Sequence, residues 1–98
     1  HAPIELGFLG HACKRCFGAP LQIPTVDTLV LGLRDLHRQG QPFKSGALKL
    51  DNLRRSHNLP PFRAHNALSD AIAASGLFLA QVSKRDPKGV LELRRVLR

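Results

Sequence analysis

The segment from about Asn66 to Lys84 is the strongest helical signal in the chain, and it limits the fold more than any other feature. Its apolar side chains recur every three or four residues, which is the period of a helix that lays one face against a core. The side chains predicted to line that face are Leu68, Ala71, Ile72, Ser75, Phe78, Leu79 and Val82. The pattern indicates a helix-rich structure in which this segment packs along its length.

Three other segments have helical spacing. Helices are predicted from Pro3 to about Phe17, from Val26 to about Arg38 and from Leu48 to about His57. Thr25 or Asp27 can cap the second of these, because short polar side chains accept hydrogen bonds from the first free amides of a helix. Glycine and proline residues separate the segments and predict loops between them.

A last helix is predicted after about Lys84. Asp86 is its expected N-cap and Pro87 its first helical position. The side chains expected to face inward are Val90, Leu93 and Leu97. At most one short strand is expected, near Ile23.

Two architectures fit this mainly helical pattern. One is a freestanding helical domain, and the other is the helix-rich half of an α/β domain whose sheet lies before His1. The 98 residues are enough for one small domain or for part of a larger one. No signal peptide is evident, and no stretch approaches the roughly 20 apolar residues of a membrane span.

The chain is strongly basic, with 15 Lys and Arg against seven Asp and Glu and a formal net charge of +8. Nucleic acid is the commonest polyanion that such a surface meets. A solvated basic face without a specific partner is the alternative. The basic side chains that could guide a phosphate backbone are Lys49, Arg54, Arg55 and Arg63.

The stretch Cys13-Lys14-Arg15-Cys16 has the spacing of half a zinc site. Zinc usually takes four ligands, and although His11 could be a third, no second ligand pair is evident. Redox catalysis is also disfavoured, because no βαβ pattern surrounds the two cysteines. Two cysteines do not suggest a secreted disulfide scaffold, so a reducing cytoplasm is the expected compartment.

Two acids and one histidine are candidates for chemistry. Asp70 is expected one turn into the strongest helix, beside small and apolar side chains that would partly desolvate it and favour a bound cation. His65 precedes that helix, where a capping or loop role is equally open. Glu5 lies in the first turn of the first helix, where the helix dipole favours acids whatever their function.

The stretch His65-Asn66-Ala67-Leu68-Ser69-Asp70-Ala71 resembles the third motif of the DEDDh 3′–5′ exonucleases, the superfamily of the DNA polymerase III epsilon proofreading subunit. That motif is a His followed five residues later by an Asp. The first residues resemble the second motif: His1 falls at its Asn, Glu5 at its metal-binding Asp and Phe8-Leu9 at its closing Phe-Leu. Val26-Asp27-Thr28-Leu29 resembles a segment of the family that is generally structural and holds no metal. Together the matches cover about Ala2 to Val82.

The resemblance implies a ribonuclease H-like α/β fold, with residues 1–98 as the C-terminal part of one exonuclease domain. It implies hydrolysis with two Mg²⁺ or Mn²⁺ ions, which releases nucleoside 5′-monophosphates from a single-stranded DNA or RNA 3′ end. Asp70 and Glu5 would be metal ligands, and His65 the general base that deprotonates the attacking water. A DNA polymerase is an implied partner.

The chain departs from the family pattern in two ways. Glu5 stands in place of an Asp and is one methylene longer, and the first motif, Asp-x-Glu, occurs nowhere in the 98 residues. That motif and most of the sheet are expected upstream of residue 1. These residues alone should then be inactive, and their apolar helix faces should be exposed. The alternatives are a non-catalytic basic helical module that binds nucleic acid and a degenerate exonuclease fold that binds a partner.

Overall fold

The computed structural model describes residues 2–40, 42, 44–63 and 66–97. Its elements are α1 (Ala2–Phe17), α2 (Thr28–Gln39), α3 (Leu50–Ser56), α4 (Ala67–Arg85) and a short 3₁₀ helix (Leu93–Arg95). No strand occurs within those ranges, which agrees with the expectation of at most one short strand near Ile23. The described part of the chain is therefore all-helical, which fits the helix-rich portion of the expected fold. No helix in it is long and apolar enough to cross a membrane.

The buried carboxylate of Asp27 accepts hydrogen bonds from the N-termini of two helices. Asp27 is the N-cap of α2, and one of its oxygens accepts a hydrogen bond from the amide of Leu29 at 3.0 Å. The other oxygen accepts from the amide of Ala2, the first residue of α1, also at 3.0 Å. Capping by Asp27, one of two predicted alternatives, is confirmed. The same residue also anchors the start of α1 to the start of α2.

The core lies where α4 packs against α2 and α3. The buried apolar side chains are Leu31, Leu53, Ala73, Leu77 and Val96. Polar side chains complete the α2–α4 contact: Gln81 donates to the carbonyl of Thr28 at 3.0 Å, and Arg85 pairs with Asp35 at 2.7 Å. Gly32 lets α3 approach α2 closely, because a Cβ there would lie 2.7 Å from the Leu53 side chain.

The predicted inward face of α4 is wrong. Leu68, Ile72 and Leu79 are exposed, whereas Ala73, Leu77 and Gln81 are buried. The cause is that α4 carries no charged side chain between Asp70 and Lys84, so apolar residues lie around most of its circumference. The face that packs is the one whose small Ala73 permits close approach and whose Gln81 finds a backbone partner.

The predicted last helix is also wrong. Residues 86–92 form turns and a loop, and only the 3₁₀ helix follows. The Asp86 carboxylate accepts hydrogen bonds from the amides of Val90 and Leu91 at 2.7 and 2.9 Å. These bonds turn the chain back on itself instead of starting a helix. Val90 and Leu93, expected to face inward, are exposed. The residue that reaches the core is instead Val96.

The first helix buries none of its side chains, and its apolar residues Ile4, Phe8 and Leu9 are exposed. The helix itself is confirmed within one residue of its predicted start. The hydrogen bond from the Ala2 amide to the Asp27 carboxylate is one of its contacts with the rest of the described chain. Together with the exposed side chains of Leu68, Ile72 and Leu79 on α4, this helix leaves much apolar surface in contact with solvent. Such exposure is expected of helices that would pack on a sheet.

Two leucine truncations on α4 test which face packs. Leu77 is 0% exposed and Leu68 is 70% exposed. We expect Leu77→Ala to lower the free energy of unfolding by about 2–5 kcal/mol, because it removes packed methylene groups and leaves a cavity. Leu68→Ala should change it by less than about 0.5 kcal/mol. Urea denaturation followed by circular dichroism measures both, and a larger loss for Leu68→Ala would contradict the observed packing.

Candidate functional site

A cleft of about 690 Å³ brings together residues from four helices and a loop. Two of its walls carry the acids singled out in the sequence: Glu5 from α1 and Asp70 from α4. The remaining lining residues come from the α2 start, the α3 region, the loop before α4 and α4 itself: Thr28, Leu29, Leu48, Lys49, Leu50, Asp51, Leu53, Phe62 and Ala74. These two acids, far apart in the sequence, therefore line one cavity.

Both carboxylates sit in the first turn of a helix. Glu5 follows the start of α1, which the Asp27 cap holds against α2. Asp70 follows the start of α4, where Asn66 caps the helix by accepting from the amide of Ser69 at 3.1 Å. Acidic side chains are common in the first turn of a helix, where the helix dipole favours negative charge. Asp70 is half-buried and Glu5 is exposed.

His65, the predicted general base, lies outside the described residues, as does His1, which falls at the Asn of the second motif. The sequence places His65 directly before the Asn66 cap and therefore next to the helix that carries Asp70. Its role remains a prediction.

Within the described ranges, no group of three or more His, Cys, Asp or Glu side chains could hold a metal ion. Three acids line the cleft, Glu5, Asp51 and Asp70, and the family resemblance calls for two further acids in an Asp-x-Glu motif that the 98 residues do not contain. Cys13 and Cys16 are both free thiols on α1. They form no group of three or more potential metal ligands with other described side chains.

The four predicted phosphate contacts lie in different surroundings. Lys49 is exposed and lines the cleft, and Arg55 and Arg63 are exposed. Arg54 is only 8% exposed, and its guanidinium donates to the carbonyls of Ala73 at 2.8 Å and Pro60 at 3.0 Å. Burial argues against a phosphate contact for Arg54 and indicates a packing role between α3 and α4.

Two cleft residues were not singled out in the sequence. Asp51 lies in the first turn of α3, and Phe62 follows Pro60 and Pro61 in the loop before α4. The sequence predicts only a helix break over that loop. Nothing in its spacing indicates that Phe62 reaches the cavity lined by Glu5 and Asp70, because the contact depends on how α3 and α4 pack.

No family model matches the chain, and neither the curated proteins nor the solved structures show a significant similarity to it. The functional interpretation therefore rests on the sequence motifs and on the cleft.

Substitution of the two adjacent arginines tests the packing role of Arg54. We expect Arg54→Ala to lower the free energy of unfolding by about 2–4 kcal/mol, because it removes a buried side chain and leaves the carbonyls of Ala73 and Pro60 without their charged donor. Arg55→Ala removes the same side chain from an exposed site one residue away and should change stability by less than about 0.5 kcal/mol. Urea denaturation of both variants provides the measurement. An equal loss of unfolding free energy in the two variants would contradict a packing role specific to Arg54.

Proposed function

We propose that this chain carries the helical half of a two-metal 3′–5′ exonuclease site of the DEDDh type. One observation carries the proposal: Glu5 and Asp70, on different helices far apart in the sequence, line the same cleft. Each was matched to a separate family motif from the sequence alone. A chance resemblance would not require the two carboxylates to share a cavity.

The donor atoms in the cleft suit the proposed ions. Mg²⁺ and Mn²⁺ prefer carboxylate, water and phosphate oxygens as ligands. Glu5 and Asp70 would both be ligands of one shared metal site, and the two remaining acids would come from an Asp-x-Glu motif beyond these 98 residues. When bound, two such ions stabilise the charge on the attacking and leaving oxygens of the phosphodiester.

His65 is assigned the proton transfer. Histidine has an ordinary pKa of about 6.5, so its imidazole can accept a proton from water near neutral pH. In the sequence it directly precedes Asn66, the N-cap of the helix that carries Asp70. In this proposal the imidazole would take a proton from the water molecule that attacks the phosphate bound beside the two carboxylates.

The charge of the chain suits a nucleic-acid substrate. Lys49 lies on the cleft wall, and Arg55 and Arg63 are exposed on the elements that carry other cleft residues. Contacts of this kind with phosphates add affinity that is independent of sequence and falls as salt is raised. The proposed substrate is therefore the 3′ end of single-stranded DNA or RNA.

A non-catalytic nucleic-acid-binding module is the second candidate. The net charge of +8 supports it equally, and no Asp-x-Glu occurs in the 98 residues. The two candidates differ in metal dependence. A binding module loses affinity with salt but needs no divalent cation, whereas the exonuclease requires one for turnover.

Variants of the three motif residues test the proposal in the complete gene product that contains these 98 residues. We expect Asp70→Asn and Glu5→Gln to reduce Mg²⁺-dependent release of mononucleotides to background, because each removes an anionic ligand. His65→Ala should lower the rate about 10²–10⁴-fold, the usual contribution of a general base.

Glu92→Gln is the matched control for Glu5→Gln. Glu92 is an exposed glutamate that pairs with Arg94 near the C-terminus and does not line the cleft. This variant should keep full activity. Full activity in Asp70→Asn or His65→Ala, measured by product release from a single-stranded 3′ end, would refute the assigned roles.

A further inference from the structure

We propose that Phe62 is the platform on which the base of the 3′-terminal nucleotide stacks. The proposal rests on the nuclease function proposed above and specifies how the same cleft holds its substrate. It arises from a side chain that matches none of the family motifs quoted in the sequence.

Phe62 lies where two cavities meet. Its side chain lines the cleft that contains Glu5 and Asp70, and also a smaller cavity of about 300 Å³ beside Pro60 and Pro61. Among the described residues that line the larger cleft, it is the sole aromatic one. The ring is half-buried, so part of it remains accessible to a ligand.

The ring is held in place by its neighbours. The central guanidinium carbon of Arg54 lies 5.4 Å from the ring centroid, a cation–π contact. Arg54 is itself fixed by the carbonyls of Ala73 and Pro60. Pro60 and Pro61 restrict the backbone just before the ring. An aromatic side chain that is already ordered loses little freedom when a base stacks on it, which favours binding.

A base stacked on Phe62 places its nucleotide in the cavity that the two carboxylates line. The cleft volume of about 690 Å³ falls within the usual range for ligand sites, about 300–1,000 Å³. Every base has a π face, so this contact tolerates all four bases. It requires a nucleotide that has left its duplex, and the site therefore selects an unpaired 3′ end.

Binding to the 98-residue chain tests the platform. The probes are two single-stranded oligothymidines, labelled with fluorescein at the 5′ end, whose 3′-terminal nucleotide either carries its base or is abasic. Fluorescence anisotropy gives the dissociation constant of each. We expect the chain to bind the intact probe about 5- to 150-fold more tightly, the range for one base stacked on an aromatic ring. Equal affinity for the two probes overturns the proposal.

Variants assign the preference to one ring. Phe62→Ala and Phe62→Leu should bind both probes equally, and Phe62→Trp should keep the preference. Phe62→Leu preserves apolar volume, so it reports on the ring if the alanine variant does not fold. Phe17→Ala is the matched control, because Phe17 is 82% exposed at the end of α1 and lies outside the cleft. It should keep the wild-type ratio, and a folded Phe62→Leu that also keeps it contradicts the platform.

The readout separates this proposal from the nuclease function on which it rests. A role of Phe62 in packing alone would weaken both probes to the same degree and leave their ratio unchanged. Asp70→Asn should leave the ratio between the probes intact while it removes metal-dependent cleavage in the complete gene product. Persistence of cleavage in that variant counts against the nuclease site, whereas loss of the base preference in wild type counts against Phe62.

Discussion

One buried guanidinium connects the parts of the structure that form the cleft. Arg54 extends from α3 and donates to the carbonyls of Ala73 in α4 and Pro60 in the preceding loop. These two carbonyls accept from the terminal nitrogens of the guanidinium, whereas its buried Nε has no hydrogen-bond partner among the described residues. Gly76 leaves room for the guanidinium against α4, since a Cβ at this position would lie 3.1 Å from Arg54 Nη1. The Phe62 ring beside this guanidinium and the α4 turn that carries Asp70 are both positioned by the contact.

Asp27 supplies the second constraint, at the other wall of the cleft. Its two carboxylate oxygens cap α1 and α2 together, and this places the first turn of α1, with Glu5, beside the start of α2. The family resemblance assigned this segment a structural role, and the hydrogen bonds agree with that assignment. The two capped helix starts, α1 at Asp27 and α4 at Asn66, then present Glu5 and Asp70 to one cavity.

Local signals in the sequence were sufficient to predict the start of α1 and the extent of α4 and to narrow the cap of α2 to Thr25 or Asp27, because helical period and capping chemistry act over a few residues. Local signals did not predict features that depend on how the helices pack together. The apolar residues around α4 gave no unique face, and Leu68 proved exposed while Gln81 was buried. The sharing of one cleft by Glu5 and Asp70 agrees with the motif assignment, but the sequence alone could not show it. Phe62 was missed because its place depends on Arg54, a contact between segments with no local signature.

The central claim is that Glu5 and Asp70 face one divalent cation in one cleft. Titration of Mn²⁺ into the ¹⁵N-labelled 98-residue chain tests it most directly, because paramagnetic broadening of amide signals falls steeply with distance from the ion. The account predicts that broadening begins at the first turns of both α1 and α4, and that Asp70→Asn removes it from both helices. Broadening at only one of these helices, or broadening that is unchanged in Asp70→Asn, would contradict a shared site.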